Sequence, residues 1–150
     1  MAGGAGRACR FDQDVPLDAG RRDVVEVPDL EAWMAEWESR SPRWVVPDVG
    51  ELYPALLRRG VRLARCHDLT LTEGLLLGHD GEHGRPRNPA AAWARLHGLA
   101  EPEDRPPPAR TEQVALFQTE RRALPDGVDP VGAALEVFAD QRRRIEACAH

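Results

Sequence analysis

Apolar positions along the chain follow two different periods. "DVVEV" (Asp23 to Val27) alternates β-branched and acidic residues and predicts an extended segment, after which Leu30, Trp33, Met34 and Trp37 recur at helical spacing behind Pro28 and Asp29. "PRWVVPD" (Pro42 to Asp48) places Trp-Val-Val between prolines, which leaves room for a short strand but not a helix. A second helix follows in "VGELYPALLRRG", with Leu52, Leu56 and Leu57 facing inward and Gly60 as its stop. "VRLARC" (Val61 to Cys66) alternates apolar residues with arginine and predicts another strand. "DLTLTEGLLLGH" predicts a helix with Asp68 at its cap, or a Thr70/Glu73 capping box in the alternative register. "NPAAAWARLHGL" is a compact helix with Asn88 as cap, Pro89 in the first turn and Gly98 beyond the end.

The pattern changes after residue 100. Residues 101–130 are polar, rich in proline and read as a mobile linker, interrupted by one apolar pentapeptide, "QVALF" (Gln113 to Phe117). A final helix occupies 131–150, with Ala134, Leu135, Phe138 and Ile145 on its apolar side. Residues 1–22 are rich in Gly, Ala and Arg and are expected to be loose, so the folded domain is expected over 23–100. Strand-helix alternation of this kind predicts an α/β layer structure, with at least two parallel strands joined through a crossover helix.

Composition narrows the function classes. The 150 residues suit one modest core, and all 20 basic residues are arginine in a chain of net charge -5. A domain that grips DNA with a whole face is usually basic, so any nucleic-acid contact here must be local. Cys9, Cys66 and Cys148 are odd in number and far apart, which favours neither a disulfide framework nor a zinc knuckle. The amino terminus lacks the apolar core of a signal peptide, and no stretch has the length of a membrane span. A reduced cytoplasmic setting without membrane contact is the expectation.

Several stretches could carry chemistry. His67-Asp68 could be an acid-base pair or a metal site, yet a helix cap requires only what the local sequence supplies. His79, Asp80 and His83 could be drawn as a metal site, but Gly81 and Gly84 break the helix that would align the two histidines. "GGAGRA" has no strand before it and fails the context required of a phosphate cradle, and Asp12-Gln13-Asp14 reads first as a turn. "QVALF" is an apolar anchor in a polar segment, which either binds a partner's pocket or pins the linker to the domain.

"QVALF" resembles the bacterial sliding-clamp-binding peptide, which implies that Gln113 enters the polar part of the clamp cleft and that Leu116 and Phe117 fill its apolar pocket. "RWVVPDVGELYPALLRRGVRLARCHDLTLTEGLLLGH", followed by "NPAAAWARLHGL" and later "EVFADQRRRI", resembles the 3'-5' exonuclease domain of family A (DNA polymerase I type) DNA polymerases. The likeness is greatest to the actinobacterial bifunctional 3'-5' exonuclease/DNA polymerases, and it covers about residues 43–100 and 131–147. It implies an RNase H-like fold, a mixed sheet with flanking helices, incomplete here, and a parent acting in DNA replication and repair.

The resemblance also implies two-metal chemistry, for which Mg²⁺ or Mn²⁺ would be needed only if exonuclease activity survives. The family's first acidic motif has at best Asp12 and Asp14 here; its second metal-binding Asp falls on Leu52 or Tyr53, and its Tyr-x-x-x-Asp falls on Glu136 to Asp140, where the tyrosine is lost. An active enzyme would need Asp12, Asp14 and Asp140 to converge. Asp68 is not a metal ligand in the family, so the resemblance assigns it to helix capping. The expectation is a degenerate domain with no catalytic residue, metal or cofactor of its own, contacting DNA through its parent polymerase, whose catalytic parts would lie beyond His150. An unrelated small α/β interaction domain is the remaining alternative.

Overall fold

The computed structural model describes residues 4–11, 23–105 and 124–149. Within them the protein is mixed α/β, with four short strands and five helices. β1 (Gly6–Cys9) and β2 (Val24–Val27) form an antiparallel ladder in which Gly6 faces Val27 and Cys9 faces Val24. β1 falls inside the segment expected to be loose, and the "GGAGRA" stretch supplies its start. β3 (Trp44–Val46) and β4 (Cys66–Asp68) form a parallel ladder, joined through α2 (Val49–Arg58) as strand-helix alternation predicts. Among the described residues the strands thus make two separate ladders.

The helices begin where their capping residues stand. Asp29 accepts from the Ala32 amide at the start of α1 (Leu30–Glu38), Asp68 caps α3 (Leu69–His79), Asn88 caps α4 (Pro89–Leu96) and Asp129 caps α5 (Pro130–Cys148). Each side-chain oxygen satisfies an amide that has no partner inside its helix. No helix among the described residues is long and apolar enough to cross a membrane.

Two apolar clusters hold these elements. Leu69, Ala92, Trp93, Ala133, Val137 and Phe138 join α3, α4 and α5, with Phe11 and Leu124 packed against them. Met34, Leu56 and Val61 join α1 and α2, with Trp33, Trp44, Leu52 and Tyr53 at the margin. Leu57 and Ile145, expected inward, are instead about half exposed, at 46% and 44%.

The expected strand over Val61 to Cys66 lies later, because Val61 turns down into the second cluster and the Ala64 amide donates to the Glu38 carboxylate. Strand pairing starts only at Cys66. Both ends of the expected 101–130 linker are held to the domain. Glu101 pairs with Arg85 and Arg95, and Asp104 accepts from the amides of Arg87 and Asn88 at the start of α4. Leu124 packs on the first cluster, and Asp129 starts α5.

Candidate functional site

His67 and Asp68 lie at the end of β4, and they serve different elements. Asp68, 7% exposed, accepts from the Leu71 amide through Oδ1 and from the Val49 amide through Oδ2, both at 2.8 Å. One carboxylate therefore caps α3 and also satisfies the first turn of α2. Asp48 accepts from the Gly50 amide at 2.7 Å. The amino ends of two helices meet at the carboxyl edge of the parallel ladder, a place where α/β proteins often bind anions. Here Asp48 and Asp68 already occupy those amides. Burial, together with the charges of Asp68 and Glu51, raises the Asp48 carboxyl despite the Gly50 hydrogen bond, as expected where carboxylates rather than a ligand fill the site.

His67 turns toward α5. Its Nε2 lies 2.9 Å from Gln141 Oε1, and its ring meets Phe138 edge-on at 4.9 Å. Gln141 is fully buried, and its Nε2 donates to the Leu69 carbonyl at 2.8 Å and to Glu73 Oε2 at 2.9 Å. Because both acceptors must face an N–H, the Gln141 amide orientation is fixed and its oxygen faces His67, so His67 Nε2 carries the proton.

Glu73 is the centre of this network. It is 1% exposed and receives Arg144 at 3.0 Å and Arg95 at 3.1 Å in addition to Gln141. Burial opposes its charge, but the bonds from Gln141 and Arg144, the Arg144 charge and the Arg95 bond outweigh burial and hold the carboxyl below the ordinary glutamate range. Arg144 continues to Asp80 and Asp140, and Arg95 continues to Glu101. This chain of polar groups borders a small cleft of about 240 Å³. Every carboxylate in it is matched by a guanidinium, a composition suited to holding α3, α4, α5 and the 101–105 segment together rather than to proton transfer. Glu73 is not a capping-box residue, and its role escaped the sequence because its partners lie far along the chain.

The other candidate residues are placed as follows. His79 ends α3 and sits 3.2 Å from Asp80, Cys148 lies 3.7 Å from the same His79 nitrogen, and Gly81 and Gly84 turn the chain with positive φ before and after His83. Aspartate and thiol share one ring nitrogen, so no relay through the imidazole can form. Asp140 pairs with Arg143 at 3.1 Å and Arg144 at 3.5 Å. Asp12, Asp14, Gln113, Leu116 and Phe117 lie outside the described residues. Among the described residues no group of three His, Cys, Asp or Glu side chains could hold a metal ion. No family model, curated protein or solved structure matches the chain.

Proposed function

We propose that this chain is a degenerate 3'-5' exonuclease-type domain, RNase H-like in fold, of the kind that precedes the catalytic parts of family A DNA polymerases. Its role in DNA replication and repair is to scaffold the attached polymerase in the cytoplasm and to tether it to the sliding clamp through Gln113, Leu116 and Phe117. The observation that carries the reading is the parallel pairing of Trp44–Val46 with Cys66–Asp68 across α2, with α3 opening at Asp68. That is the order of elements the resemblance requires.

The donor set of the described residues supports a loss of exonuclease chemistry. Leu52 and Tyr53, at the family's second metal position, border the apolar cluster of Met34, Leu56 and Val61, and Asp140 is spent on two arginines. These residues do not fit a pair of divalent ions, which require several converging carboxylates. No metal-dependent step is assigned to them.

Clamp binding tests the tether directly. Immobilised sliding clamp should retain the full chain, and Leu116→Ala with Phe117→Ala should abolish retention; unchanged affinity would sink the tether. Trimming of single-stranded 3' ends in Mg²⁺ or Mn²⁺, lost in Asp14→Ala, would instead make the chain an active nuclease. A second reading, an α/β interaction domain unrelated to polymerases, draws on the division of the described strands into two ladders. It requires that the clamp not bind at all.

A further inference from the structure

The arginines are unevenly paired. Around α3, α4 and α5, Arg85, Arg95, Arg142, Arg143 and Arg144 each meet a carboxylate. Between residues 40 and 65 the chain carries six arginines against two acids, Asp48 and Glu51. Both acids stand at the amino end of α2, and Arg59 is paired with Asp29. Among the described residues no carboxylate pairs with Arg40, Arg43, Arg62 or Arg65. In a protein of net charge -5, this is a local surplus of positive charge.

The surplus sits at one end of the parallel ladder. Trp44 and Cys66 are paired, so Arg43 and Arg65 immediately precede the two strands side by side, and the Trp44 amide donates to the Arg65 carbonyl at 3.0 Å. Arg65 in turn reaches the Ser41 carbonyl. Arg62 is exposed between buried Val61 and half-buried Leu63. This end is opposite to Asp48 and Asp68, hence away from the carboxyl edge described above.

Aromatic rings adjoin the arginines. Trp37, Trp33 and Trp44 form a continuous row, with centroids 5.6 Å and 5.9 Å apart, and the Arg40 guanidinium lies 4.4 Å above the Trp37 ring. Glu36, four residues before Arg40, does not draw it away from the ring. Glu38, the nearest acid, is occupied by Trp44 Nε1 at 2.6 Å and the Ala64 amide at 2.9 Å. Its carboxylate anchors the loop and makes no ion pair with Arg40, Arg43, Arg62 or Arg65.

We propose that the Trp37–Arg40 ledge with Arg43, Arg62 and Arg65 is a binding surface for single-stranded nucleic acid. A base stacks on the planar guanidinium and indole, while the neighbouring arginines take successive phosphates. The chemistry favours a strand over an acidic peptide, because stacking needs a π-face that carboxylates lack, and over a duplex, whose bases are not available to stack. The inference stands on this end of the molecule alone and is independent of any polymerase kinship.

Fluorescence anisotropy of labelled oligothymidylate, titrated with the full chain at low salt, tests it. Three phosphate contacts should give a slope of log affinity against log salt of about -2. Arg43→Glu with Arg62→Glu should weaken binding at least about tenfold and flatten the slope. Trp37→Ala should weaken it by about tenfold and remove the accompanying quench of tryptophan fluorescence. Arg142→Glu with Arg143→Glu, an equal charge change on α5, should leave affinity within about twofold of that of the parent chain, as expected for charges outside the contact surface. Circular dichroism must show each variant folded, and if Trp37→Ala is not, Trp37→Phe should retain binding in its place. No binding at low salt, equal loss in the Arg142→Glu, Arg143→Glu double variant, or equal displacement by polyglutamate would overturn the proposal, the last in favour of an acidic protein partner.

Discussion

Gln141 on α5 donates its side-chain N–H to Glu73 on α3 at 2.9 Å, with both residues almost wholly shielded from solvent. The bond crosses the interface of the two helices, and the same amide also serves the Leu69 carbonyl and His67. A buried polar group costs little while every partner is present and much when one is removed. Gln141→Leu is similar in size but strands three partners at once. It should lower stability by about 3 kcal/mol, read as a fall in the urea midpoint with an unchanged m value. Gln141→Glu should be worse still, because it sets a second carboxylate against Glu73.

Glu73 also makes the fold sensitive to acid. Its carboxyl is held below the ordinary range in the folded state, so the unfolded chain binds a proton first as pH falls. The stabilisation is complete above the ordinary glutamate range and is lost as pH falls through the depressed folded value. Thermal melts across that interval should show Glu73→Gln less stable than the parent at neutral pH but losing less stability on acidification. Parallel pH curves for the two proteins would contradict the assignment.

Asp68 joins two helices through separate oxygens. Asp68→Ala removes the α3 cap and the Val49 partner together and should cost about 2–3 kcal/mol, against about 1 kcal/mol for Asp48→Ala, which removes the cap of α2 alone. Asp68→Asn keeps one acceptor oxygen but points N–H at N–H on the other side, so its cost should fall between these two. Chemical denaturation of the three variants gives the ranking, and equal costs for Asp68→Ala and Asp48→Ala would show that the Val49 bond contributes nothing.

The helices were legible because their caps are local. Asp29, Asp68, Asn88 and Asp129 each stand directly before an apolar periodic run, and each accepts from an amide within its own first turn. The parallel β3–β4 pair was legible in kind and displaced in position. Alternation over Val61 to Cys66 looks like a strand, but the alternate residues turn toward Met34 and Leu56 instead of toward a neighbouring strand. β1 was hidden, because a Gly-Ala-Arg stretch has no β-branched residue to mark it and acquires strand geometry only by pairing with Val24–Val27. The Glu73 network was hidden for a different reason: Arg95, Gln141 and Arg144 lie 22, 68 and 71 residues away, beyond any local pattern. A glutamate inside the run "LTLTEGLLLG" was its one trace.

Cys66 is open to solvent as a residue, yet its thiol is unusually reluctant to ionise. Desolvation, and after it the Asp68 carboxylate, pushes the thiol from 9.0 up to about 11. At mildly alkaline pH the thiolate fraction should be about a hundredfold below that of an ordinary cysteine, partly offset by the greater nucleophilicity of a more basic thiolate. Iodoacetamide should therefore alkylate Cys66 about tenfold more slowly than it alkylates a free cysteine peptide, as followed by mass spectrometry of the Cys66 peptide. Asp68→Asn should speed the reaction in the folded protein, since it removes the charge while leaving the side chain's size. A Cys66 that reacts at the free-peptide rate in the folded parent chain would show that neither burial nor Asp68 governs it.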